Sequence, residues 1–92
     1  MLISMGNIYQ ERGMAWMERC AAMDSFTVPN AQIFGHVARY LAGLTGNENN
    51  RDVAANVAKI VEEAAPLYLN GSSRSDIRFT EQTFQTLVDD LQ

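Results

Sequence analysis

Between Asn50 and Tyr68 apolar side chains return at helical steps. Val53, Val57, Ile60, Val61, Ala64 and Tyr68 share one face, and Arg51, Asp52, Asn56, Lys59, Glu62 and Glu63 fall mostly on the other. Steps of three and four mark one side of an α-helix. Asn50 offers a cap at the front, and Asp52 puts a carboxylate in the first turn, where the helix dipole favours it. Pro66 stands near the end, where it predicts a kink or a single distorted turn beyond Ala65.

The same period recurs on either side. Over residues 7–24, Tyr9, Gly13, Trp16, Cys20 and Met23 form one stripe with Met17 beside it, and Asn7 followed by Gln10 has the spacing of a capping-box variant. Gly13 in mid-helix costs about 1 kcal/mol relative to alanine, which predicts a close approach by another helix there. Glu11, Arg12, Glu18 and Arg19 make a solvated face. Over residues 28–44, Ile33, Val37, Leu41 and Leu44 form the apolar stripe with Phe34 adjacent; Thr27 and Asn30 are both credible caps, and Pro29 suits a first turn. A second row on this helix is small: Ala31, Gly35, Ala38 and Ala42. The Asn50–Tyr68 helix has Ala54, Ala58 and Ala65, and the two rows are expected to face each other at short distance. Gly46 is the natural C-terminal cap of the second helix.

Asn70-Gly71-Ser72-Ser73 reads as a turn, and Arg74 to Phe79 as loop or a brief extension. The last helix is expected over residues 80–91, with Thr80 as its N-cap, Phe79 and Phe84 as a hydrophobic staple, and Phe84, Leu87, Val88 and Leu91 buried. The predicted fold is therefore all-α: a compact single-domain bundle of about four helices spanning 1–92.

Composition agrees with a globular domain. The chain has 92 residues, 47% of them apolar and 20% charged, with room for one core. No apolar run approaches the roughly 20 residues that span a bilayer. The start, which offers Met1 and Met5 as alternative initiators, has no basic n-region, so a cytoplasmic location is expected. The single cysteine, Cys20, excludes an internal disulfide, fits a reducing compartment, and lies on an apolar stripe as a buried, inert thiol would. Net charge is -4, which argues against broad binding to a phosphate backbone.

Residue chemistry narrows the function further. His36 is the one histidine and reads as a surface or hydrogen-bonded core residue, with no second ligand or nucleophile beside it in the pattern. The pairs Glu62-Glu63 and Asp89-Asp90 point about 100° apart on a helix and form no facing acid–base dyad. Gly43 and Gly46 lack the strand and lysine of a phosphate loop, and Ser72, Ser73 and Ser75 have no base set against them. No cofactor and no enzymatic activity are expected.

The leading expectation is a non-catalytic interaction module, an inhibitor, adaptor or regulator that docks on a larger protein or on a copy of itself. Trp16 and Met17 are neighbours that point in different directions, so Trp16 either fills the core or anchors a partner. With Arg12, Arg19 and Tyr40 they make the expected partner-binding set, rimmed by nearby acids. The alternative is a DNA-binding regulator using residues 28–44 and 50–68 as a helix-turn-helix, for which Arg39, Arg51 and Lys59 would have to converge.

Overall fold

A computed structural model describes residues 8–24 and 26–92, and among them there are four helices and no strand. Helix α1 is Ile8–Ala21, α2 is Val28–Ala42, α3 is Asn50–Tyr68 and α4 is Arg74–Leu91. They close a ring: α1 packs on α2, α2 on α3, α3 on α4, and α4 returns to α1. One core draws from all four, with Trp16, Ile33, Val37, Leu41, Val53, Val57, Phe84, Leu87 and Leu91 among its buried members.

In α1 the buried residues are Tyr9, Gly13, Trp16 and Cys20, at the expected spacing. Gly13 marks the predicted close approach: a Cβ built there would lie 2.7 Å from Leu41 Cδ1 on α2. The helix ends three residues short of Asp24, and Met23 is exposed rather than part of the stripe. Turn bonds replace the last helical turn, with the Met23 amide on the Cys20 carbonyl and the Phe26 amide on the Met23 carbonyl. The expected cap at Asn7 lies outside the described residues.

Helix α2 stops at Ala42, before Leu44, and Gly43 rather than Gly46 follows it. Thr27 holds the N-cap position, but its hydroxyl accepts from Asn30 Nδ2 at 2.8 Å instead of from a backbone amide. Gly46 instead serves the following turn, with φ at +97°.

The small-residue rows do not meet as expected. Ala31, Gly35 and Ala42 are exposed, Ala38 is half-buried, and nothing lies within 4 Å of where a Cβ on Gly35 would stand. Rotating α2 toward α3 by its small row would expel Ile33, Val37 and Leu41 from the core. Burying a large aliphatic side chain is worth roughly 1.5–3 kcal/mol, and the large stripe wins.

The cap of α3 is Asn49, one residue before Asn50; its side-chain oxygen accepts from the amides of Arg51 and Asp52. The helix runs through Pro66 to Tyr68, and the Leu69 amide donates to the Ala65 carbonyl at 2.8 Å. Tertiary ties hold that last turn: Leu69 is buried, and the Tyr68 hydroxyl lies 2.7 Å from His36 Nε2 on α2. This is the hydrogen-bonded setting allowed for His36.

The largest departure is α4. It begins at Arg74, so the stretch expected as loop is helical, and Thr80 is an interior residue rather than the N-cap. Ser73 is the cap, accepting from the Asp76 amide at 3.1 Å. Thr80 is buried; its hydroxyl lies against the Asp76 carbonyl one turn back and the side-chain oxygen of Asn30 on α2. This buried polar pair ties α2 to α4.

Candidate functional site

The expected partner-binding residues differ in exposure, with four of the five on α1 and Tyr40 on α2. Trp16 is 3% exposed and packs between α2 and α4, with ring centroids 5.4 Å from Phe34 and 4.8 Å from Phe84. Its indole N–H donates to the Thr83 carbonyl at 3.2 Å. Both its rings and its polar edge are occupied inside the bundle, so of its two readings the core one describes its place. Tyr40 is half-buried and accepts from Asn56 Nδ2 of α3 at 2.9 Å. Arg12 and Met17 are half-buried and Arg19 is exposed, all three on α1.

Cys20 is buried, and burial pushes its thiol above the ordinary range, against a smaller opposing pull from Arg19. A protonated thiol is a weak nucleophile, consistent with packing. Among the described residues no three histidine, cysteine or carboxylate side chains gather as metal ligands. Nor is any helix among them long and apolar enough to cross a membrane.

What the surface offers is apolar and concave. A groove of about 650 Å³ lies between the C-terminal half of α3 and the first turns of α4. Val61, Ala65 and Pro66 line it from α3, Leu69 from just beyond its end, and Ile77 and Thr80 from α4, with Glu62, Glu81 and Asn70 completing the wall. The short side chain of Ala65 among Val61, Leu69 and Ile77 leaves the depression. Gly71, at φ +87°, turns the chain between the two helices. Ile77 is 38% exposed, and Leu67, further round α3, is 74% exposed. Leu67 lines a neighbouring recess with His36, Ile60, Glu63 and Ala64.

A smaller groove of about 370 Å³ runs between α1 and α2. The small row of α2 forms its wall through Gly35, Ala38 and Ala42, beside Met14 and Arg39.

No protein-family model, curated protein or solved structure matches this chain. Its function is therefore read from these surfaces alone.

The sequence pattern missed the α3–α4 groove because the first turn of α4, which carries Ile77, was expected to be loop. The signal was present: Ser73 followed three residues later by Asp76 has the spacing of an N-terminal cap. It competed with the alternation of Ile77 and Phe79 about Arg78, which resembles a short strand.

Proposed function

We propose that this protein is a non-catalytic interaction module that acts by docking on a larger protein. The observation that carries the reading is the α3–α4 groove with its exposed apolar residues. A concave apolar surface bounded by a few polar groups is the usual form of a binding site, and apolar patches left uncovered on a small domain mark contact surfaces. Such a domain regulates its partner by occupying a surface that the partner needs elsewhere.

The test compares wild-type protein with Ile77→Asp, in the groove, and Leu67→Asp, outside it, as bait in host lysate, with and without nuclease. Leu67 is largely exposed, so Leu67→Asp should change thermal stability by less than about 0.5 kcal/mol; Ile77 is 38% exposed, and losing its partial burial should cost about 1 kcal/mol. A stoichiometric, nuclease-resistant protein retained by wild type and Leu67→Asp and lost by Ile77→Asp is the expected result. Retention by both variants, with loss in Arg12→Glu or Arg19→Glu, would move the contact surface to α1.

Helix-turn-helix binding to DNA remains the alternative, with Arg39, Arg51 and Lys59 all exposed. Against it, seven residues, Gly43 to Asn49, separate α2 from α3, where that motif uses about three or four. Asp52, Glu62 and Glu63 also stand exposed on the would-be recognition helix. Recovery that disappears with nuclease would reverse this order.

A further inference from the structure

The α3–α4 groove has a chemical sign as well as a shape. Among the described residues its only ionisable lining residues are Glu62 and Glu81, one on each wall. Of the bases nearest in sequence, Lys59 does not line the groove, Arg74 and Arg78 line a separate depression with Phe79 and Gln82, and Arg78 shares a further depression with Glu81, Gln82 and Gln85. Each wall thus presents one carboxylate acceptor, set beside an apolar floor of Val61, Ala65 and Ile77.

We propose that the occupant is a basic amphipathic segment of a partner protein, with apolar side chains on the floor and Lys or Arg flanking them at Glu62 and Glu81. This rests on the reading of the protein as an interaction module and adds the chemistry of the partner. Carboxylates on both walls repel phosphate groups, which disfavours nucleic acid and anionic membranes as occupants. They attract the donors of guanidinium and ammonium groups, with the planar guanidinium fork best matched to a carboxylate.

The test is selection from a displayed library of random linear peptides on the purified protein. Affinities of the selected peptides are then measured by fluorescence anisotropy on wild type, Ile77→Asp and the double variant Glu62→Gln/Glu81→Gln. The expected peptides carry Lys or Arg on both sides of an apolar face and lose binding to Ile77→Asp. They weaken about three- to tenfold on the double variant, and added salt reduces the difference. Peptides that need Ile77 but carry no basic residues, or ignore the double substitution, overturn the basic partner and leave the interaction module standing. Peptides indifferent to Ile77→Asp, or no enrichment at all, overturn the groove as the docking site and with it the observation behind the proposed function. Self-association in sedimentation that Ile77→Asp abolishes also overturns the proposal, because the occupant would then be a second copy of this chain. The glutamine substitutions are nearly isosteric and lie on exposed helix faces, so they test the charge even where Ile77→Asp disturbs the fold.

Discussion

Gly13 and Gly35 are both mid-helix glycines, and in sequence they look alike. In space they differ: a Cβ on Gly13 would meet Leu41 Cδ1 at 2.7 Å, whereas one on Gly35 would meet nothing within 4 Å. Replacing glycine by alanine in a helix interior gains about 1 kcal/mol from backbone entropy. At Gly35 nothing opposes that gain, so Gly35→Ala should raise stability by about 1 kcal/mol. At Gly13 the methyl must displace a fully buried leucine, and overpacking of this kind costs roughly 1–3 kcal/mol. Gly13→Ala should therefore lower stability, by up to about 2 kcal/mol after the propensity gain. Urea unfolding of the two variants decides this, and a gain at both positions would show that Leu41 yields freely. The close approach at Gly13 was legible because a helix-interior glycine needs a reason. The absence of one at Gly35 was not, since spacing alone does not say which of two stripes on a helix turns inward.

At the scale of elements, α3 was legible almost to the residue because its apolar face repeats over five turns. The ends were less so, because caps compete locally: Asn49 and Asn50 are both good caps, and the geometry of the preceding turn selects Asn49. That turn is organised by Glu48. Its carboxylate accepts from the Thr45 amide at 2.9 Å, the Thr45 hydroxyl at 3.1 Å and the Gly46 amide at 2.9 Å. The Thr45 amide is the largest of the causes that hold the Glu48 carboxyl below the ordinary glutamate range. A depressed folded-state value means that the bonds stabilise the fold above the unfolded-state pKa and are lost as pH falls through the folded-state one. Glu48→Gln should accordingly be less stable than wild type at neutral pH, with the gap narrowing on acidification. Urea midpoints of both proteins from neutral to acid check it; a gap that stays constant with pH would mean that the charge is irrelevant to the turn. The turn has a second attachment, for the Tyr9 hydroxyl donates to the Glu48 carbonyl at 3.0 Å and also lies against the Asn50 side chain.

At the scale of the molecule, the fold class followed from four apolar stripes, but the surface did not, because a groove belongs to two helices at once and neither stripe contains it. The closure of the ring by α1 and α4 has a kinetic meaning. The bond from the Trp16 indole to the Thr83 carbonyl joins residues 67 apart in the chain, while α2–α3 and α3–α4 contacts join helices that follow one another. Long-range closure carries the larger entropy loss and is favoured only once the intervening chain is ordered. The α1–α4 seam should then be the last part to form and the first to open. Phe84→Leu thins that seam beside Trp16 at a cost of about 1 kcal/mol, and leaves the lone tryptophan as a fluorescent reporter. Stopped-flow measurement should show unfolding faster by roughly fivefold and folding almost unchanged; a slowing of folding instead would place the seam in the nucleus. The lifetime of the folded bundle is then set where its first and last helices meet.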